Sequence, residues 1–156
     1  MGSQENKLRI SVVIITYNRA QMLADVLTSL TIQKRLPDEV VVVDNNSKDD
    51  TKNVALGFRG KLNIRYVFEE KQGVSFARNA GIANASGDII VFTDDDCVAH
   101  EEWLYYLELP FLRDPSIGIV GGDIFAHRVK GNLIEDFCIA EEMLRVGAYS
   151  KKEEGG

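Results

Sequence analysis

Short apolar runs rich in β-branched residues alternate along this chain with segments of helical periodicity. Three of the runs are mostly apolar and predict buried strands, whereas a fourth segment alternates apolar and polar side chains. Such alternation is typical of a strand with one less buried side. The buried runs are residues 9–16, 39–43 and 89–92, and the alternating segment is residues 62–68.

Helical spacing of apolar residues marks the segments between and after these strands. Ser75 is placed to cap the third helix, which Gly87 is expected to close. Pro110 and the turn after it are expected to end the fourth helix. The remaining predicted bounds are helices over residues 20–33, 49–57, 75–85 and 132–146 and a strand over residues 117–125.

This alternation predicts an α/β fold in which a mostly parallel sheet carries helices on both faces. The length of 156 residues suits one domain with an adequate core. We expect the domain to span residues 9–147, after a disordered N-terminus over residues 1–8 and before a polar tail over residues 148–156.

Composition and charge narrow the class of protein. The net charge of −6, without any block of Lys and Arg, argues against a nucleic-acid partner. The sequence contains no apolar run of membrane-spanning length and no signal-peptide core at its N-terminus. Cys97 and Cys138 do not make a disulfide framework, so we expect a cytoplasmic location, compatible with peripheral association at the inner face of the membrane.

Polar residues follow the predicted strands at the points where the strands end. These segments are residues 16–19 (TYNR), 44–47 (DNNS) and 94–96 (DDD). Because the carboxyl ends of parallel strands share one edge of a sheet, residues far apart in sequence are expected to converge there on one ligand.

Each of these segments suggests a part of that ligand. Three consecutive carboxylates, Asp94 to Asp96, repel one another unless a hard divalent cation such as Mg²⁺ or Mn²⁺ binds them, and such a cation usually shares substrate phosphates. Asp44 is suited to accept from a ligand N–H such as the imide of uracil, and Tyr17 offers an aromatic face to a base. The sequence contains neither a Walker-type loop nor a G-x-G-x-x-G motif, so a different nucleotide-diphosphate site is expected.

Four segments resemble, in order, the successive motifs of family 2 glycosyltransferases. They are VVIITYNR (12–19), EVVVVDNNSKDDT (39–51), GVSFARNAGI (73–82) and DIIVFTDDDCV (88–98). The resemblance implies the Rossmann-like GT-A fold of the nucleotide-diphospho-sugar transferases of the spore-coat-polysaccharide-synthesis type. It also implies a nucleotide-sugar donor, a UDP-sugar by family frequency, a Mg²⁺ or Mn²⁺ ion held through a DxD-type motif, and inversion at the anomeric carbon.

Carried over position by position, the resemblance implies roles in nucleotide binding. Thr16 and Tyr17 border the base, and Asn18 belongs to the same nucleotide-binding segment. Asp44 accepts a hydrogen bond from a ring N–H of the base. Arg78 lies in the ARN segment and helps to hold the nucleotide.

The acidic segment receives two roles from the same resemblance. Asp94 is implied to contact ribose or sugar hydroxyls. Asp95 and Asp96 are implied to reach the metal directly or through water, with Asp95 also bordering the nucleotide.

Each assignment to the nucleotide site has an alternative of purely structural kind. Tyr17 is also suited to cover the sheet edge as an aromatic residue. Asp44 is also suited to cap the helix that begins near residue 49. Arg78 on its helix is also placed to pair with Glu69 or Glu70, an exposed contact of little energy.

The catalytic base is not assigned. In the family it lies in an acidic motif well after a Gly-Gly strand like residues 118–125, and no segment here matches that motif. Glu141 and Glu142 are the nearest candidates, but a solvated helix face is the better interpretation of them. We therefore expect the base to lie beyond the chain end and interpret the chain as a donor-binding half that binds nucleotide and turns over little.

Three other functions compete with glycosyl transfer to a glycan, a lipid-linked molecule or another hydroxyl acceptor. One is a non-catalytic module that binds nucleotide-sugars. The second is a DxD-type phosphatase, which is disfavoured because that class carries its acidic motif on the first strand. The third is a sugar-phosphate nucleotidyltransferase of similar fold, which is disfavoured because the sequence lacks the Gly-rich N-terminal loop of that class.

Overall fold

The computed structural model describes residues 7–122 and 146–150 of the chain. The chain forms two compact units, Met1–Glu101 and Glu102–Gly156. The domain boundaries expected from the sequence remain a prediction.

The described part of the first unit alternates strands with helices, as the apolar pattern predicts. The elements are β1 (Ile10–Thr16), α1 (Ala20–Thr31), β2 (Glu39–Asp44), α2 (Thr51–Gly57), a 3-10 turn (Phe58–Gly60), β3 (Ile64–Phe68), α3 (Val74–Asn84) and β4 (Ile89–Asp94). The four strands form one parallel sheet in the order β3-β2-β1-β4. The predicted α/β class with a mostly parallel sheet is therefore confirmed.

The central strands are apolar on both sides because helices cover both faces of the sheet. Val13 of β1 points to the face that carries α3, where it belongs to a buried cluster with Val41, Val43 and Ala77. The alternate residues of β1 point to the opposite face, where the right-handed crossover rule places α1 and α2. Gly81 lets α3 approach the sheet, because a Cβ at this position would collide with the Val13 side chain.

The beginning and the end of α3 differ from the prediction. The helix begins after Gly73, whose φ of +140° is unfavourable for any residue with a side chain, and Ser75 lies inside the first turn without capping it. At the other end the helix stops at Ala85, in extended backbone, rather than at Gly87. Gly87 instead allows the backbone to pass against Ser11, because a Cβ at this position would lie 2.7 Å from the Ser11 backbone nitrogen.

The second unit contains α4 (Trp103–Arg113) and the antiparallel strands β5 (Ile117–Gly122) and β6 (Val146–Ser150) among its described residues. Pro110 lies inside α4 and does not end it, but the helix ends at Arg113, at the turn where the sequence predicts its end, and the Asp114 N–H donates to the Pro110 carbonyl at 2.9 Å. Val146, the predicted last residue of the final helix, instead begins β6, so the predicted helix is wrong at this residue. The rest of the predicted helix 132–146, and residues 123–125 of the predicted strand, lie outside the described residues.

Among the described residues, none of the helices has both the length and the apolar character needed to cross a bilayer.

Candidate functional site

The polar strand ends lie along one edge of the first unit's sheet, as the sequence predicts. Thr16 of β1 is paired in register with Asp44 of β2, and Ile15 of β1 with Asp94 of β4. The order β3-β2-β1-β4 places the topological switch point between β1 and β4, since the chain moves one way from β1 to β3 and then returns to the other side of β1. Ligands of open α/β sheets bind at such switch points, outside the carboxyl ends of the strands.

Two loops at this edge hold each other in place. The Asn18 N–H donates to the Ser47 hydroxyl at 2.8 Å, and the Lys48 N–H donates to the Asn18 side-chain oxygen at 2.7 Å. Asn18 and Asn46 have φ values of +52° and +70°, in the left-handed region that asparagine tolerates better than most residues. The asparagines of the YNR and DNNS segments therefore shape the loops, a purpose that their sequence context does not reveal.

Asp44 lies under this edge and is only 2% exposed. One of its carboxylate oxygens accepts from the Ser47 N–H at 2.8 Å, and the other accepts from the Tyr66 hydroxyl at 2.6 Å. Burial, followed by the hydrogen bond to Asp44, raises the pKa of Tyr66, so this hydroxyl remains a donor at neutral pH. Asp44 therefore stabilises its own loop, although each carboxylate oxygen keeps a second lone pair that a ligand N–H can use.

Thr16 and Tyr17 end β1 beside Asp44. Thr16 is 1% exposed, and its side-chain oxygen is buried without a hydrogen-bond partner among the described residues. Tyr17 is 47% exposed, which leaves its ring open to a planar ligand and argues against the alternative that it only covers the sheet edge.

Asn45 connects this edge to the beginning of α3. Its side-chain amide donates to the Glu69 and Lys71 carbonyls at 3.2 and 2.7 Å, and its side-chain oxygen accepts from the Gly73 N–H at 2.8 Å. Arg78 follows on α3, where it is exposed and forms no ion pair with another described residue. The alternative pairing of Arg78 with the acids before the helix is therefore not observed.

The three consecutive carboxylates at the end of β4, Asp94 to Asp96, lie in two different environments. Asp94 and Asp96 are exposed, and together with Cys97 they have potential ligand atoms that all lie within 4.8 Å of one another. Asp95 is 5% exposed and accepts from Arg19 Nη1 at 3.0 Å, while the same nitrogen lies 3.3 Å from Asp96 Oδ2. The hydrogen bond and charge of Asp95 raise the pKa of Arg19 above its ordinary value.

The exposed pair fits a hard divalent cation by the chemistry of its donors. Mg²⁺ and Mn²⁺ prefer carboxylate oxygens and retain positions for water and phosphate, which an open pair of carboxylates such as Asp94 and Asp96 permits. Burial and the negative charge of Asp96 raise the pKa of the Cys97 thiol, so sulfur is the less suitable donor at neutral pH.

Sequence reasoning missed two residues that organise this edge. Tyr66 was interpreted only as an apolar position of an alternating strand, yet its hydroxyl reaches Asp44. Asp49 accepts from the first N–H of α1, at Ala20, and from the first N–H of α2, at Thr51, at 3.0 and 3.1 Å. The hydrogen bond from Thr51 lowers the pKa of Asp49. A carboxylate at the first residue of the predicted helix over residues 49–57 is the signal that indicates such a cap.

Solved structures with the GT-A fold share this architecture. The mannosyltransferase PcManGT of Pyrobaculum calidifontis, solved in complex with GDP-Man and Mn²⁺, is similar with a TM-score of 0.68 and 28% identity, over 78% of this chain and 37% of that one. The TarS 1-349 protein of S. aureus in complex with UDP has a TM-score of 0.62 and 31% identity, over 67% of this chain and 32% of that one. The protein is thus a glycosyltransferase-type α/β domain with the GT-A fold.

The family follows from the sequence comparison. The model of glycosyl transferase family 2 matches residues 11–136, and this chain belongs to that family. Glycosyltransferase AglE of Haloferax volcanii is 37% identical over 148 residues, which are 92% of this chain and 48% of the relative. Validoxylamine A glucosyltransferase of Streptomyces hygroscopicus subsp. limoneus is 32% identical over 156 residues, 94% of this chain and 34% of the relative.

The chain spans half or less of the length of these curated relatives. Membership of the family leaves the phosphatase alternative without support, and the acidic turn indeed follows the fourth strand instead of the first.

Proposed function

We propose that this chain binds a nucleotide-diphosphate sugar at the carboxyl edge of its parallel sheet and contributes the donor site of an inverting glycosyltransferase. The observation that carries the proposal is the register of the sheet, which aligns Thr16 with Asp44 and brings the acidic turn after β4 to the switch point beside β1. UDP is the favoured nucleotide, with a UDP-bound relative among the similar structures and a GDP-mannose-bound relative as the counterexample.

In this proposal the base of the nucleotide lies over the carboxyl ends of β1 and β2. Tyr17 supplies the exposed ring on which the base stacks, and Asp44 accepts its ring N–H with a lone pair that the protein leaves free. The Thr16 hydroxyl, which has no hydrogen-bond partner within the described part of the chain, is available to bond the nucleotide in this region. Asn18 orders the loop that carries the ring, and the exposed Arg78 guanidinium supplies positive charge for the nucleotide.

The acidic turn holds the divalent cation and the sugar side of the donor. Asp96 would bind Mg²⁺ or Mn²⁺, and Asp94 would be the second carboxylate of the cation site as well as an acceptor for ribose or sugar hydroxyls. Asp95, which is paired with Arg19, would reach the cation directly or through water. When bound, the cation supplies a positive charge that stabilises the diphosphate as it leaves.

The acceptor side of the reaction is assigned only by class. A hydroxyl of a glycan, a lipid-linked molecule or another acceptor attacks the sugar from the face opposite the diphosphate, and a carboxylate accepts its proton. The candidate bases Glu141 and Glu142 lie outside the described residues. A cytoplasmic location, including the inner face of a membrane, stays a prediction.

A calorimetric binding panel tests the proposal. UDP, GDP and dTDP are titrated into the protein with Mn²⁺, with Mg²⁺ and with neither, and we expect cation-dependent binding in which UDP is preferred. Asp96→Ala should abolish the cation-dependent part without lowering the melting temperature, because this carboxylate is exposed. Asp25→Asn, an exposed acid on α1, removes the same charge away from the sheet edge and should bind as the wild type.

The result that overturns the proposal is the absence of nucleotide binding by a folded wild-type protein under all three cation conditions. Cation-independent binding that survives Asp96→Ala would remove the metal role alone. Binding without transfer or donor hydrolysis, by this chain and by a full-length relative assayed beside it, would favour the non-catalytic module.

A further inference from the structure

Arg19 forms an ion pair with Asp95 and Asp96 of the acidic turn. A role of these acids in cation binding does not by itself explain this pair. The Arg19 Nη1 atom lies 3.0 Å from Asp95 Oδ1 and 3.3 Å from Asp96 Oδ2, so one nitrogen serves the carboxylates of two consecutive residues. Its backbone is fixed at the start of α1, where the Arg19 carbonyl accepts from the Leu23 N–H at 3.0 Å. Its side chain is half exposed, so the guanidinium can change partners without disturbing the helix.

Asp96 takes part in two potential interactions, one with Arg19 and one with a cation. It accepts from Arg19 through Oδ2, and it also belongs with Asp94 to the group of potential ligands within 4.8 Å of one another. A guanidinium and a divalent cation at the same carboxylate repel each other, and both satisfy the same need for positive charge beside three consecutive acids. The two therefore compete for Asp96.

We propose that Arg19 acts as a positioning residue that couples cation binding to diphosphate binding: it pairs with Asp95 and Asp96 in the free protein and turns to the diphosphate when the cation arrives. This inference rests on the proposed nucleotide-sugar site and adds an order to its assembly. A guanidinium released from two carboxylates presents a planar fork of N–H donors, which matches phosphate oxygens as well as it matches carboxylates.

The arrangement has a thermodynamic consequence that a purely structural ion pair lacks. In the free protein the cation must displace Arg19, so its affinity is reduced. A bound diphosphate pairs with the Arg19 guanidinium in place of the carboxylates. The Asp96 carboxylate is then free to bind the cation. Cation and diphosphate therefore strengthen each other's binding by the same factor, as linkage requires.

Titration of Mn²⁺ alone, and of Mn²⁺ in the presence of saturating UDP, measures this coupling in three proteins. The variant is Arg19→Gln, whose amide is a hydrogen-bond donor but carries no charge. We expect it to bind Mn²⁺ alone roughly two- to fivefold more tightly than the wild type, the range that loss of an exposed ion pair supports. The enhancement of Mn²⁺ binding by UDP should shrink by a similar factor. Arg59→Gln removes an exposed guanidinium from the 3-10 turn and should match the wild type in both titrations.

Two results separate this inference from the function on which it rests. If the wild type binds UDP with Mn²⁺ but folded Arg19→Gln binds Mn²⁺ alone no more tightly, the coupling role of Arg19 is wrong and the site proposal survives. If the wild type binds neither, both are wrong. Should Arg19→Gln fail to fold, the Nε–Hε resonance of Arg19 in the wild type, assigned with Arg19→Lys, decides the matter: Mg²⁺ with UDP must shift it, and an unchanged resonance refutes the proposal.

Discussion

Replacing the buried acid Glu39 by glutamine is expected to destabilise the sheet at the edge opposite the nucleotide site. Glu39 begins β2 and is 5% exposed. Its Oε1 atom accepts from the Ser11 hydroxyl at 2.6 Å, from the Ser86 hydroxyl at 2.9 Å and from the Ser86 N–H. Through these bonds one carboxylate connects β1 and β2 to the loop that leads into β4.

The size of the destabilisation depends on which of the Glu39 hydrogen bonds glutamine can retain. Its amide oxygen can retain the three hydrogen bonds, but they change from bonds to an anion into bonds to a neutral acceptor, which are weaker by about 1 kcal/mol each. The Arg65 guanidinium, 3.6 Å from Glu39 Oε2, adds little because it is half exposed. We therefore expect Glu39→Gln to lower the free energy of unfolding by about 2–3 kcal/mol.

The same charge gives the effect a pH dependence of known sign. Burial acts to raise the pKa of Glu39, but the hydrogen bonds from Ser11 and Ser86 and the charge of Arg65 outweigh it and hold the pKa below its ordinary value of 4.5. A lowered pKa in the folded state means that the stabilisation is complete above the unfolded pKa and is lost as pH falls through the folded pKa. The difference between wild type and variant should therefore be constant near neutral pH and shrink below about pH 4.5.

Urea unfolding followed by circular dichroism at pH 7 and at pH 3.5 to 4.5 measures both expectations. Glu70→Gln is the matched control, because Glu70 is exposed and its loss of charge should change stability by about 0.5 kcal/mol or less. A loss for Glu39→Gln no larger than that of the control, or a loss that does not diminish in acid, would refute the reasoning from buried charge.

Three further substitutions test the core and the base site. Gly81→Ala should lower the free energy of unfolding by about 1–3 kcal/mol in urea, because its methyl group meets Val13, whereas Gly57→Ala has open space and should be neutral or stabilising. Tyr66→Phe removes a hydroxyl that donates to a buried carboxylate at 2.6 Å, so it should lower the free energy of unfolding by about 1 kcal/mol or more in the same assay. A smaller decrease would contradict the importance of this hydrogen bond. Tyr17→Ala should weaken UDP binding by about 1–3 kcal/mol in calorimetry while Tyr17→Phe preserves it, and equal losses would exclude stacking.

The parallel sheet was predictable because burial on both faces leaves its strands apolar without interruption. The exposure of β4 was not predictable from the same signal. Residues 89–92 look as buried as β1, yet Ile90 is 37% and Phe92 43% exposed, because β4 is the last strand of the four and one of its faces is not covered by described residues. Apolar composition indicates a strand, but neighbours in the sheet decide how much of it is buried.

Helix ends were predicted less well because they depend on backbone geometry. Ser75 carries the side chain that a cap requires, but the chain reaches α3 through Gly73 at a φ that only glycine adopts readily. Asn45 fixes that glycine through its N–H from a loop 28 residues earlier, a contact that no local pattern contains.

The division of the three aspartates shows most clearly where local reasoning ends. Asp94, Asp95 and Asp96 are chemically identical and consecutive, so their own chemistry does not predict which of them is buried. The structure turns Asp95 inward to Arg19 and leaves Asp94 and Asp96 exposed, and it can do so only because the loop that follows β1 lies beside the turn that follows β4. The order of strands thus decides which acid is buried against Arg19 and which acids stay exposed. A sequence in which β4 joined the sheet beside β3 would keep every motif and lose that distinction, so the proposed donor site depends on the topology as much as on its residues.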